Sequence, residues 1–177
     1  MIWCFFCICY LLIEDVFAGP DLSGTYQLQT PITELEKEKK TALERTVQSA
    51  DWVYQIPISM RLKDKPHICE IYVFEATETH FHVTCDSLQT LSVPISGKNE
   101  KVQRVINGKT EEIEVQFYSK ESKYIAYEIF SGGGSMYIEI HQLDKQSNAS
   151  GKLIVSKSIT SSYFKDPYTV KMTYLKK

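Results

Sequence analysis

The amino-acid sequence predicts an all-β fold, an antiparallel up-and-down meander that closes as a barrel, with one helix after the first strand. Two observations support this prediction. Beyond residue 50 the chain consists of short runs in which apolar and polar residues alternate, separated by turn-forming residues, and only the stretch around residue 40 has helical periodicity. About ten short strands in this order also suit two packed sheets, so a β-sandwich is the alternative.

The second half of the chain is predicted to form successive hairpins. Asn107-Gly108 is the strongest turn signal, because a type I′ turn requires positive φ at both central residues. This turn joins the predicted strands Val102–Ile106 and Lys109–Phe117. The glycine loop Ser131–Ser135 joins Lys123–Phe130 to Met136–Leu143, and a loop that contains Asp166-Pro167 joins Lys152–Ile159 to Tyr168–Leu175.

Two strands and a helix are predicted upstream. Thr25–Thr30 is the first strand, and the alternation along Trp52–Leu62 predicts a second strand, in which Pro57 indicates an edge, a bend or a bulge. Between them, Thr33 and Glu36 fit a capping box at the start of a helix. The helix has a Glu36/Lys40 pair, and its narrow apolar stripe consists of Leu35, Ala42, Leu43 and Val47.

Cys69 and Cys85 are predicted to form a cross-strand disulfide. Each lies in a β-rich run, and a hairpin centred on Thr77 places them opposite each other. The same register pairs Ile71 with Val83 and Val73 with Phe81, so the apolar face and the cysteine pairing agree. Two free buried thiols are the alternative.

The first 18 residues have the pattern of a signal peptide. Met1–Ile13 is apolar and too short to span a bilayer, and Val16 and Ala18 suit a cleavage site after Ala18. An uncleaved anchor is the alternative. We therefore expect a secreted protein with one domain over residues 19–177, and the sequon at Asn148 is a candidate N-glycosylation site.

The charge balance disfavours nucleic-acid binding. Removal of the signal takes away Glu14 and Asp15 and no base, so 20 basic and 20 acidic residues remain. Proteins that bind nucleic acid usually carry a basic surplus on one face. No later segment is apolar and long enough to be a membrane span.

Asp21–Leu28 (DLSGTYQL) resembles the Gly-x-Trp first-strand signature of lipocalins and fatty-acid-binding proteins, with Tyr26 at the tryptophan position. The early helix and the ending Thr173–Lys176 are similar to the fatty-acid-binding branch, whereas the Thr-Asp-Tyr segment and the final-strand arginine of lipocalins are absent from the sequence. This resemblance implies a barrel that carries a small hydrophobic molecule.

A barrel of this size has an interior that holds one small apolar ligand, in a cavity of roughly several hundred Å³. The inward-facing candidates are Tyr54, Ile56, Ile71, Val73, Phe81, Val83, Val115, Phe117, Ile138, Ile140 and Met172. The other interpretation is that these residues are ordinary core. The alternative function is a secreted protein–protein interaction module, whose surface would include Tyr72, Phe74, Tyr127 and Tyr137.

The sequence contains no pattern that predicts an enzyme, and no cofactor is expected. His80 and His82 form a metal half-site at most, because zinc takes at least three protein ligands, and a solvated polar face is the better interpretation. The glycine loop lacks the lysine of a phosphate-binding loop, and no serine lies in a Gly-x-Ser-x-Gly elbow.

Overall fold

The computed structural model describes residues 22–86, 88, 90–106, 109–119, 124–131, 134–143 and 151–177. Within these residues the chain forms two helices and ten strands. In chain order they are β1 (Gly24–Leu28), α1 (Ile32–Gln48), α2 (Trp52–Leu62), β2 (Ile71–Ala76), β3 (His80–Cys85), β4 (Leu91–Pro94), β5 (Asn99–Ile106), β6 (Lys109–Ser119), β7 (Tyr124–Ser131), β8 (Gly134–Gln142), β9 (Lys152–Ser161) and β10 (Tyr168–Lys176).

The strands form one antiparallel sheet that curls into a nearly closed barrel. Their order is β4-β3-β2-β1-β10-β9-β8-β7-β6-β5, so most neighbours in space are neighbours in the chain. The exception is β1, which pairs with β2 on one side and with β10 on the other. The edge strands β4 and β5 lie next to each other. The predicted antiparallel up-and-down barrel is therefore confirmed, rather than the β-sandwich.

The hairpins of the second half are also confirmed. β5 to β10 cover the predicted strands with their ends moved by at most a few residues. β10 shows the physical cause most clearly, because its alternate side chains Tyr168, Val170, Met172 and Tyr174 are all buried. The Asn107-Gly108 turn lies outside the described residues. The short β4 was missed, since its four residues include Pro94.

Aromatic rings fill the middle of the barrel. The ring of Phe74 lies 5.6 Å from Tyr26, 4.9 Å from Tyr72 and 5.6 Å from Phe81, measured between centroids. Phe81 in turn contacts Phe117 at 5.9 Å. Such ring pairs stabilise a core beyond the area that they bury. All five side chains are buried, so this part of the interior is packed core.

The predicted helix is confirmed as α1, although its first turn differs. Leu35 and Ala42 are buried, and Leu43 and Val47 pack against the core. The capping box is wrong, because the helix begins at Ile32 after Pro31 and has no side-chain cap. The ion pair of Glu36 is made with Lys39, at 3.2 Å, rather than with Lys40.

The predicted strand Trp52–Leu62 is wrong, because this segment is the helix α2. Its apolar residues fit the two-residue period of a strand and equally the i, i+4, i+8 spacing of a helix, so the pattern alone could not decide. Pro57 cannot donate to a sheet ladder but lies inside the helix. Tyr54 and Ile56 are consequently exposed on α2 instead of facing the barrel interior.

The predicted register of the β2–β3 hairpin is also wrong. Tyr72 lies opposite Cys85, Phe74 opposite Val83 and Ala76 opposite Phe81, which is a shift of three residues on β2. An odd shift reverses the faces of a strand, so Tyr72 and Phe74 are buried and Val73 points outward. Burial of two aromatic side chains in place of two aliphatic ones favours this register.

The disulfide between Cys69 and Cys85 is confirmed, with Cα atoms 5.3 Å apart. Its position differs from the prediction, because Cys69 precedes β2 and does not belong to the hairpin ladder. The bond instead ties the segment that enters β2 to the end of β3. It therefore fixes one wall of a cavity at the end of the barrel.

Candidate functional site

The candidate site is a cavity of about 110 Å³ next to the disulfide, inside the barrel wall. It is lined by side chains from β2, β3 and β4 on one side and from β7, β8 and β9 on the other. The apolar and aromatic part of the wall consists of Tyr72, Val83, Leu91, Tyr127, Ile129, Met136 and Ile138. This volume is smaller than the several hundred Å³ that the sequence predicted for a carrier.

Lys157 supplies a positive charge at the cavity wall. It lies on β9 at an inward position, in step with Leu153 and Val155, and its side chain is only 7% exposed. The ammonium donates to the carbonyl oxygen of His67 at 2.6 Å and contacts Cys69 Sγ at 3.6 Å. A lysine is seldom buried without polar partners, and these contacts hold its Nζ in place.

Tyr72 lies beside this ammonium. Lys157 Nζ is 5.4 Å from the centroid of the Tyr72 ring, within the range of a cation–π contact. Burial, followed by the neighbouring Tyr127, Tyr174 and Asp86, raises the pKa of Tyr72 well above its ordinary value. Tyr72 therefore remains a neutral phenol over the physiological pH range.

Tyr174 holds the segment that carries Cys69 in place. Its hydroxyl donates to the backbone oxygen of Cys69 at 2.7 Å, in a buried position. Burial, with smaller contributions from Asp86 and Tyr127, raises the pKa of Tyr174. The phenol stays protonated and keeps donating, so the segment that carries Cys69 is held against the barrel.

The rim of the cavity contains polar and exposed residues. His67 Nε2 lies 3.3 Å from Asp86 Oδ2, and Asp86 Oδ1 accepts a hydrogen bond from the backbone N–H of Ile71 at 2.8 Å. The side chain of His67 is 62% exposed, and Leu88 is exposed as well. Because both residues also line the cavity, it reaches the surface between them.

The residues that the sequence proposed as ligand-lining separate into three groups. Val83 and Ile138 line the cavity. Phe81, Val115, Phe117, Ile140 and Met172 are buried in the packed core. Tyr54, Ile56 and Val73 are exposed, and Ile71 is half-buried. The inward-facing assignment is thus wrong for the residues on α2 and for the outward face of β2.

The aromatic surface proposed for a protein-binding module is not exposed. Tyr72, Phe74 and Tyr127 are buried, and Tyr137 is half-buried. The shifted register explains the two residues on β2. Tyr127 belongs to the inward row of β7, together with Ile129.

Two groups of potential metal ligands occur among the described residues. His80 and His82 stack on β3 with ring centroids 5.9 Å apart. The donor atoms of His67, Cys69 and Cys85 lie within 4.8 Å of one another. Metal binding by cysteine requires a thiolate, and both sulfurs of this second group are bonded to each other in the disulfide.

Sequence reasoning missed Lys157, which is the distinctive polar residue of the cavity. The signal was present, because residue 157 occupies an inward position of the alternating row that begins at Leu153. The segment around His67 was missed for another reason. It carries no regular structure, and it is held at the barrel end by the disulfide and by hydrogen bonds from Tyr174 and Lys157.

The nearly closed barrel with one helix pair is compatible with a calycin-like barrel. No family model matches the chain, and no curated protein matches it by sequence. Within the described part of the chain, neither helix has the length and apolar character that a membrane crossing needs.

Proposed function

We infer that this protein is a non-enzymatic binding protein that takes a small amphipathic molecule into the cavity beside the disulfide. The observation that supports this proposal is an apolar cavity whose wall includes the buried ammonium of Lys157. Sites for small molecules typically combine mostly apolar walls with a few fixed polar groups. The resemblance of the N-terminal strand to that of calycin carriers points in the same direction.

The volume limits the size of the enclosed part of the ligand. An apolar cavity of about 150 Å³ holds a benzene ring, so the 110 Å³ available here encloses a short apolar group or part of a single ring. The opening between His67 and Leu88 allows a longer ligand to extend to the surface. We therefore expect a compact ligand, or one end of a longer one.

The charge at the wall selects the polar group of the ligand. An ammonium in a low-dielectric site attracts a carboxylate more strongly than it does in water, and charge-assisted hydrogen bonds are the stronger ones. The Tyr72 ring and the apolar wall suit the rest of the molecule. A small organic acid with an apolar body is the ligand class that fits both features.

We extend the proposal to the setting in which the protein works. The Cys69–Cys85 disulfide is the kind of bond that persists in oxidising compartments, in agreement with secretion. The signal sequence over residues 1–18 and the sequon at Asn148 lie outside the described residues, and both remain predictions. In this setting the protein would act as an extracellular carrier or scavenger.

A titration with two matched probes tests the proposal. Benzoate and benzyl alcohol share a ring, and only benzoate carries a negative charge. Nuclear magnetic resonance should show saturable shifts for amides around Val83 and Ile138 with both probes. The variant Lys157→Met should weaken benzoate binding about tenfold or more and leave benzyl alcohol nearly unchanged.

Lys171→Met is the control, because Lys171 is exposed on β10. It should leave the affinity for both probes as it is, and thermal unfolding of each variant verifies that the barrel is intact. The absence of saturable shifts at the cavity with either probe would refute the binding function. Equal weakening of both probes by Lys157→Met would instead refute the selection for acids.

A further inference from the structure

The helix α2 presents an apolar stripe to solvent. Trp52, Ile56 and Met60 follow the i, i+4, i+8 spacing of one helix face and are 82%, 73% and 75% exposed. On the opposite side, Ile58 and Leu62 are buried against the rest of the protein. The helix is therefore apolar on both faces, which is unusual for a helix on a protein surface.

The surface around this stripe extends the apolar area. Val53 is also exposed next to it, whereas Tyr54 lies in the row of Ile58 and Leu62, where its ring contacts the ring of Tyr163 at 5.0 Å. The four side chains Trp52, Val53, Ile56 and Met60 offer on the order of 500 Å² of apolar surface. Patches of this size on a protein surface are often functional.

We propose that this α2 face binds a second copy of the same chain, with the two α2 helices packed antiparallel around a twofold axis near Ile56. A twofold interface requires a surface that is complementary to itself. In the antiparallel arrangement Ile56 meets its own copy, and Trp52 meets Met60 of the other copy. The thioether and the indole form a favourable sulfur–aromatic contact.

The charges at the two ends of α2 agree with this arrangement. Asp51 precedes the helix, whereas Arg61 and Lys63 lie at its end, with Asp64 beside them. Antiparallel pairing brings the acidic start of one helix to the mainly basic end of the other, twice. A lipid surface would favour cations along the whole stripe, so the acidic residue at one end favours self-association.

The area is sufficient for a weak dimer. Two copies of the patch would bury roughly 1,000 Å² in total, which is the range of weak, transient interfaces. We therefore expect the monomer and the dimer to exchange with concentration. This inference is independent of the cavity and stands whether or not the barrel binds a ligand.

Sedimentation of the mature protein tests the proposal through its mass. The protein should shift from monomer to dimer with rising concentration, and Ile56→Lys should raise the dissociation constant about tenfold or more. Ile32→Lys is the matched control, since Ile32 is another exposed isoleucine, at the start of α1. It should leave the dissociation constant unchanged.

A charge exchange tests the antiparallel orientation. Asp51→Lys and Lys63→Glu should each weaken the dimer, and the double variant should restore it, because the opposite charges meet again. Ile56→Cys should also form a dimer-linking disulfide with oxidised glutathione, which is reduced in the exchange, whereas Ile32→Cys should not.

A protein that stays monomeric at millimolar concentration would overturn the proposal. Vesicles of phosphatidylcholine with phosphatidylglycerol distinguish the lipid alternative. If the wild type sediments with these vesicles, Ile56→Lys does not, and no dimer forms, the face binds membranes instead. A dimer whose dissociation constant is unchanged by Ile56→Lys would likewise refute the α2 interface.

Discussion

Removal of the Cys69–Cys85 disulfide should lower the free energy of unfolding by an amount that depends on the length of the loop it closes. The double variant Cys69→Ala/Cys85→Ala opens a crosslink between residues 16 apart in sequence. The chain-entropy relation for a loop of this length gives a loss of about 3 kcal/mol in the free energy of unfolding. For a domain of this size, that loss corresponds to a decrease of about 6–12 °C in Tm.

Urea titration of the double variant and of the wild type measures this loss. The midpoint should fall while the slope of the transition rises somewhat, because the unfolded chain exposes more surface without the crosslink. The hydrogen bond from Tyr174 to the Cys69 backbone does not need the sulfur, so the segment should remain docked. A loss below about 1 kcal/mol would refute the loop-entropy reasoning, and an unfolded variant would show that the disulfide also holds the barrel end.

Four further predictions concern two buried tyrosines, the sequon and the signal sequence. Tyr174→Phe should cost about 1–3 kcal/mol, because the buried carbonyl of Cys69 loses its donor, and urea titration measures this cost. Burial, with a smaller contribution from Glu36, raises the pKa of Tyr168 to about 12. The folded state binds the phenol proton more tightly than the unfolded state does. The contribution of Tyr168 to the free energy of unfolding is therefore fully present below about pH 10 and should be lost between pH 10 and 12. Measuring the free energy of unfolding of the wild type and of Tyr168→Phe across that pH interval checks the sign. The free energy of unfolding should decrease less in the variant than in the wild type. Finally, protein secreted from a eukaryotic cell should lose one glycan mass in Asn148→Gln, and mass spectrometry should find its N-terminus after Ala18.

The barrel was predictable where the chain is built from local hairpins. From β5 to β10 each strand pairs with its neighbour in sequence, so alternation and turn residues carry most of the information. The helix α2 was not predictable by the same means. Its apolar residues fit two periods, and the choice depends on packing against α1 and on the Ala50–Phe164 bridge, which links distant parts of the chain.

The site was predictable only in part. The Cys69–Cys85 pairing was correct although the register was wrong, because the disulfide needs proximity rather than direct opposition. The register itself depended on whether Tyr72 and Phe74 or Ile71 and Val73 fill the interior. That competition is decided by the rings they meet there, from Tyr26, Phe81 and Tyr174, and a local pattern does not contain these contacts.

The edges of the sheet are β4 and β5, whereas the last residue of the chain lies within the sheet, next to β1. The backbone N–H of Lys177 donates to the oxygen of Thr25 at 2.9 Å, so the end of the chain lies beside its first strand. The gap between β4 and β5, by contrast, is crossed by the loop over residues 95–98. A circular permutant that starts at Asn99 and joins Lys177 to Leu22 by a short linker would keep every ladder and read its strands in the order in which they lie. The native chain has the same spatial order of strands, with its termini between the neighbours β1 and β10 instead of between the edge strands β4 and β5.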